Sequence, residues 1–415
     1  ILKSSIFCIA CVFFVAPKIT DAQKIEEFPE DSVEFIETLS EYLEKRIKKS
    51  NEETFEKFRE YWTTGKFTSD KRDTIVYMAN TLLQNNAKRE PHFTTMLDFL
   101  IRLNNTDFES EYFPTWMKGF HHLIREKKRK LKKITGYFHF TLDFIESDRL
   151  YSSRSRKWYA SSNNYQFTYD TTIKVVYSET RLKCKQRNDS IRIYNTEGMY
   201  LPFKEQWNGK GGKVTWERAG YSPENVYAEL SDYTIDMSMA EYKADSVKFT
   251  NTLYFDRPIQ GTLKEKLVHV IKPAEAIYPV FDSYQKVFDL PEIYKNMHYT
   301  GGFQMKGAQF IGNSGENRDA ILKVHRNDKI FMTARAETFI LQKNKAISRR
   351  ANITIHLKQD SIYHTGLQFT YNVNQQNIEL TSNDNILSES VYYNTYHQVS
   401  MNFERLLWNT NEDKI

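Results

Sequence analysis

Cys184 stands between Lys183 and Lys185. A thiol flanked by two cations is this chain's best candidate nucleophile, because nearby positive charge favours the reactive thiolate. In an extended segment, however, side chains alternate between faces, so both lysines point away from the face that carries Cys184. A structural cysteine is the expected outcome. His121 and His122 are adjacent and project about 100° apart on a helix, so they lack the shared face of an i, i+4 metal pair. Gly209, Gly211 and Gly212 cluster, yet no Gly-Lys-Ser/Thr follows and a strand comes next, which predicts a turn and not a phosphate-cradling loop. His-Glu-x-x-His and Gly-x-Ser-x-Gly do not occur. Carboxylate spacing alone does not nominate a glycosidase acid and nucleophile, since their meeting is a tertiary fact. No catalytic, cofactor-binding or metal-ligating residue is therefore nominated, and the expectation is of a protein without a catalytic site.

Two binding chemistries are open to the sequence. Arg125, Lys127, Lys128, Arg129, Lys130, Lys132 and Lys133 place seven basic residues in nine positions. Such a patch suits anionic lipid, lipopolysaccharide or nucleic acid. Its bland counterpart is a solvated helix end, where positive charge favours the negative end of the helix dipole. From Gln23 to Thr135 there are 21 basic and 20 acidic residues, a net +1, so the patch is local. The 26 Tyr and 28 Phe are enough to build sugar-stacking surfaces, with Trp158, Trp207 and Trp216 the natural members of an exposed row. The same residues equally build cross-strand ladders and a β-core.

The elements that would carry these groups fall into two halves. From Asp31 to about Lys133 the apolar residues have helical spacing: Ile36, Leu39, Leu43 and Ile47; Phe55, Phe58 and Trp62; Ile75, Met78, Ala79, Leu82 and Leu83; Phe93, Met96, Leu97, Leu100 and Ile101; and Trp116, Phe120, Leu123 and Ile124. Asp31 and Glu34 are placed to cap the first helix, and Pro91 suits a first helical position. Five helices joined by short polar loops predict an antiparallel helical bundle or short helical array over 23–135. Past Gly136 the period becomes two, at Phe138, Phe140, Leu142 and Phe144, at Tyr165, Phe167 and Tyr169, and at Ile353, Ile355 and Leu357. Asn208-Gly209 reads as a hairpin turn. The expected fold class is segregated α+β, with the all-β part spanning 136–415.

An internal echo refines that part. Asp189-Ser190-Ile191-Arg192-Ile193-Tyr194-Asn195-Thr196 matches Asp245-Ser246-Val247-Lys248-Phe249-Thr250-Asn251-Thr252, and Asp360-Ser361-Ile362 begins a shorter third copy. Asp-Ser suits a turn and the following alternation suits a strand with one buried face. Repeated units of this kind predict a stacked β-solenoid or β-taco, with a β-sandwich as the alternative.

The N-terminus carries an address. Lys3, the apolar block Ile6–Val15 and the small residues of Thr20-Asp21-Ala22 form a secretory signal over 1–22, cut after Ala22. The apolar block is too short to span a bilayer of about 30 Å. Cleavage removes Cys8 and Cys11 and leaves Cys184 as the one thiol, so no intrachain disulfide and no multi-thiolate zinc site is expected. With 58 Lys plus Arg against 53 Asp plus Glu, 40% hydrophobic residues and one long apolar run in 415 residues, the composition excludes a polytopic membrane protein and a disordered tail. The sequence lacks an initiator Met and has no terminal turn signal at Lys414-Ile415, which reads as part of a longer protein.

The segments Gly211-Gly212-Lys213-Val214-Thr215-Trp216-Glu217-Arg218, Val226-Tyr227-Ala228-Glu229-Leu230, Ala244-Asp245-Ser246-Val247 and Asp360-Ser361-Ile362-Tyr363-His364 resemble the N-terminal part of large exported cell-envelope proteins of Bacteroidota-type bacteria that have no assigned activity. Glu241-Tyr242-Lys243-Ala244-Asp245-Ser246-Val247 is faintly similar to turns of the lipopolysaccharide-transport (organic-solvent-tolerance) β-domains. The resemblance implies a periplasmic or outer-membrane location and carries over no catalytic residue. Three functions follow as expectations. The first is an envelope structural or assembly scaffold whose partners are envelope proteins, glycans or lipids, with membrane-surface contact through the basic helix end and without nucleic acid. The second is a secreted polysaccharide-binding or polysaccharide-active protein. The third is amphiphile transport along an apolar β-groove.

Overall fold

The computed structural model describes residues 25–44, 48–126, 130–268, 272–314, 318–382 and 390–412. The expected signal segment 1–22 with Cys8 and Cys11, and also Ile47, Lys127, Lys128 and Arg129, lie outside the described residues. The chain divides into two compact units, 1–104 and 105–415.

The first unit contains α1 (Ser32–Glu44), α2 (Lys49–Thr63), α3 (Ser69–Gln84) and α4 (Thr94–Leu103). Its helices bury the expected faces: Ile36, Leu39 and Leu43; Phe55, Phe58 and Trp62; Ile75, Met78, Ala79 and Leu82; and Met96, Leu97, Leu100 and Ile101. Asp31 Oδ1 accepts from the backbone N–H groups of Val33 and Glu34 at 2.9 and 3.0 Å, closing two donors that the first turn leaves open. Asn80, buried on α3, clamps the strand-like lead-in by bonding both the N–H and the carbonyl of Phe28.

The second unit opens with α5 (Asp107–Ile124) and α6 (Lys130–Ser147). Here the reading of 138–144 as a strand is corrected, because these residues are helical. Phe138 faces Trp116 of α5 at 5.8 Å while Phe140 faces Tyr200 of the sheet at 5.5 Å. A helix packed on two sides presents apolar residues in two directions, and alternate positions then mimic a strand.

Twenty-five strands follow among the described residues. They are β1 (Arg149–Ser152), β2 (Arg156–Ala160), β3 (Tyr165–Tyr169), β4 (Ile173–Gln186), β5 (Asp189–Leu201), β6 (Gln206–Lys210), β7 (Lys213–Thr215), β8 (Val226–Glu229), β9 (Asp232–Asp236), β10 (Glu241–Asn251), β11 (Ile259–Lys266), β12 (Val280–Ser283) and β13 (Phe288–Tyr294). The rest are β14 (Met297–Gly301), β15 (Gln304–Lys306), β16 (Gln309–Asn313), β17 (Ala320–Arg326), β18 (Lys329–Ala336), β19 (Thr338–Leu341), β20 (Lys345–His356), β21 (Ser361–Asn372), β22 (Asn377–Thr381), β23 (Tyr392–Asn394), β24 (Val399–Met401) and β25 (Arg405–Asn409). Strand makes up 44% of the described residues and follows the helices, so the fold is segregated α+β.

Every pairing is antiparallel, and the pairings trace two runs. One is β3-β4-β5-β6-β9-β10-β11-β12-β15-β16-β19-β20-β21-β22-β25. The other takes β1-β2-β4-β5-β7-β8-β10 and then β13-β14-β17-β18-β20-β21-β23-β24. The long strands β4, β5, β10, β20 and β21 belong to both runs. Each hairpin they form shifts register where the strand passes from one run to the other, with positive φ at Asn195, Ser246 and Gly366. A bulge bends a strand and raises its twist, which is how one strand serves both runs.

The matching octapeptides both lie in such strands and bury Ile191, Ile193, Val247 and Phe249. Their Asp-Ser pairs differ. Asp189 begins β5 after a tight turn, opposite Gln186, whereas Asp245-Ser246 forms the bulge within β10, so the turn reading fails there. Asp360 again precedes a strand at a tight turn. The β4-β5 and β20-β21 hairpins, each with two register shifts, are thus built alike.

Asn208-Gly209 is no turn either: it lies within β6, paired to β5 on one side and β9 on the other. Ladder bonds on both edges outweigh the local turn preference, and the reversal comes at Gly211-Gly212, where φ is +66° and +113°. The missing side chain at 209 makes room for rings, since a Cβ there would sit 2.3 Å from Tyr233 Cζ. Among the described residues no helix is long and apolar enough to cross a membrane.

Candidate functional site

Cys184 is fully buried on β4, and desolvation pushes its thiol up to about 12. The flanking lysines do not reach it, as strand alternation requires, so it is no nucleophile at neutral pH. His121 is exposed, while His122 stacks on Phe203 at 5.6 Å and lies 3.4 Å from Tyr169 Oη. No group of three or more His, Cys, Asp or Glu among the described residues forms a metal-binding set. Trp158, Trp207 and Trp216 are 1%, 0% and 1% exposed, so the expected solvent-facing indole row does not form. Tyr363, which is exposed, and Tyr393, which is half-buried, form a cross-strand pair with ring centres 5.6 Å apart.

Of the basic cluster, Lys130, Lys132 and Lys133 occupy the first turn of α6 and Arg125 follows the end of α5. The helix-dipole account of this patch holds for Arg125 at the C-cap of α5 and is corrected for Lys130, Lys132 and Lys133, which sit at a positive helix end where the dipole opposes them. Lys133 pairs with Glu126 at 3.1 Å.

Sequence reasoning passed over the most polar interior feature. Glu265 on β11 is buried, and its Oε2 accepts from Trp216 Nε1 at 2.8 Å. Its other oxygen meets the Arg218 guanidinium. Arg218 also reaches Asp189 Oδ2 and the Lys266 carbonyl, at 3.3 and 3.2 Å. The turn Glu217–Ala219 presents Trp216 and Arg218 to this point. Burial pushes the Glu265 carboxyl above the ordinary range, opposed by the Arg218 charge and the Trp216 bond. The adjoining cavity, about 120 Å³, is small. Glu265 has both oxygens occupied by protein donors, so the cluster is suited to locking β11 to the turn and to β5. Only the alternation of β11, which aims Glu265 inward, hinted at it.

A second feature is a pocket of about 360 Å³ formed where turns from both runs converge. The Gly220–Asn225 loop and the turn after β10 supply Tyr221, Asn225 and Tyr254. Strand β16 after the turn at Ala308 supplies Phe310, and the turn at Gln342–Asn344 supplies Gln342, Lys343 and Asn344. Tyr221 faces Phe310 at 5.0 Å and Tyr254 meets it edge-on at 5.4 Å. Tyr221 Oη is buried without a hydrogen-bond partner, and so is Nδ2 of Asn251, a fully buried residue at the base of the same turn as Tyr254. Unpaired buried polar atoms are uncommon and call for a partner.

No family model, curated protein or solved structure matches this chain.

Proposed function

We propose that this chain is an exported scaffold protein of the cell envelope, in which a helical module precedes a stacked, β-taco-like framework that holds other envelope components. The observation that carries this reading is the filled interior. None of the six tryptophans is more than 2% exposed, and Phe249 stacks on Phe281 at 4.4 Å between the bent strands. An interior closed by aromatic packing supports a load-bearing framework over a conduit, since a transport groove needs apolar wall left open along its length. The exposed Lys132 and Lys133 at the start of α6, the latter ion-paired with Glu126, are offered in this reading to anionic envelope surfaces.

The test is expression of the full chain in a Gram-negative host, followed by fractionation and intact mass measurement. The expected result is loss of residues 1–22, recovery with the envelope, and no stoichiometric acyl lipid on the purified protein. Cytosolic retention with an intact N-terminus overturns export, and one lipid bound per chain overturns the scaffold in favour of transport.

A further inference from the structure

We infer that the pocket between Tyr221, Tyr254, Phe310 and the Gln342–Asn344 turn is a saccharide-binding site that takes a pyranose unit of a glycan. The pocket joins two chemistries that a sugar ring needs at once: aromatic carbon for its C–H face, and groups that both donate and accept for its hydroxyls. Tyr221 Oη is buried at the pocket without a partner. The side-chain amides of Gln342 and Asn344 line it and form no hydrogen bond among the described residues, while that of Asn225 accepts from Thr252. Lys343 is the single charged residue in the lining, so the site suits neutral or mildly acidic sugars better than a polyphosphate. A cavity of about 360 Å³ lies at the lower end of small-molecule sites, where one or two pyranose rings fit. An acyl chain would desolvate the Gln342 and Asn344 amides without replacing their hydrogen bonds to water, and would leave the Tyr221 hydroxyl unpaired, which disfavours lipid. The inference is independent of the scaffold reading, since a framework and an enzyme can each carry such a site.

The experiment is saturation-transfer NMR on the purified full chain with maltotetraose, cellotetraose, chitotetraose, mannotetraose and tetragalacturonate as probes, and with dodecanoate as the lipid control. Transfer to at least one oligosaccharide is expected at millimolar concentration. Y221F removes one hydroxyl and N344A alters an exposed turn, so both variants keep the fold. At least fivefold weaker binding in either of them supports the site. No transfer to any of the five sugars, sugar binding unchanged in both variants, or dodecanoate displacing the sugar overturns it.

Discussion

Removing the Arg218 guanidinium leaves the Glu265 carboxylate buried without its opposite charge, and the cost can be worked from the structure. The Glu265 side chain is 3% exposed, and breaking a buried pair on one side typically costs 3–5 kcal/mol. Arg218 keeps 18% of its side chain in solvent and Asp189 keeps 31%, so R218A belongs near the lower end, about 3 kcal/mol at pH 8. With a urea m-value of about 3 kcal/mol/M for a unit this large, the midpoint falls by about 1 M. The pH dependence has a definite sign. Burial raises the folded carboxyl of Glu265 above its unfolded value, so the stability tied to its protonated form is present below the ordinary carboxylate range and is lost as pH rises through the folded value. Deleting Arg218 removes an influence that lowers this value, so the R218A deficit is smaller at pH 5 than at pH 8. The double variant R218A/E265Q replaces the stranded charge by a neutral amide and recovers at least half the loss at pH 8. Urea unfolding followed by tryptophan fluorescence, and by circular dichroism at 218 nm, measures the wild type and both variants at both pH values. A deficit below about 1 kcal/mol, a deficit equal at the two pH values, or a double variant no better than R218A would refute the reasoning.

Three further outcomes follow from other parts of the fold. G209A drives a methyl group into the rings of Tyr233 and Trp207, 2.3 and 2.4 Å from the nearest atoms, and is expected to lose about 1–3 kcal/mol, read as a lower melting temperature. G136A, in the interior of α6 where a Cβ meets nothing within 4 Å, is the contrasting control and is expected to gain about 0.5–1 kcal/mol, since alanine favours a helix over glycine. Cys184 should resist a thiol reagent such as DTNB in the native protein at pH 8 and react fully once urea unfolds the chain, because its thiol is buried and pushed up to about 12; rapid native labelling would contradict its placement. D31A removes the cap of α1 and is expected to cost about 1 kcal/mol, visible as faster amide exchange at Val33 and Glu34.

How much could be read beforehand depended on how far each feature is local. The faces of α1 to α4 were legible because a helix with one buried side repeats its apolar residues at the helical period. The Asp31 cap was legible because capping involves neighbours in sequence. The burial of Ile193 and Phe249 followed from strand alternation in the same way. Where an element has two packing partners, the local pattern misled: Phe138 and Phe140 on α6 look like a strand because α5 and the sheet draw them in different directions. Asn208-Gly209 looked like a turn because nothing nearby in sequence tells that β5 and β9 flank it.

The sequence alone therefore determined the segregation of helices from strands, the inward residues of most elements, and the inert setting of Cys184 between outward lysines. Tertiary structure decided which Asp-Ser pair turns and which one bulges, brought Arg218 to Glu265 and Asp189, and gathered Tyr221, Phe310 and Asn344 around one pocket. The physical reason is distance along the chain. Periodicity, caps and turn preferences act over a few residues, whereas the lock and the pocket exist only where antiparallel pairing brings remote strands and their turns side by side.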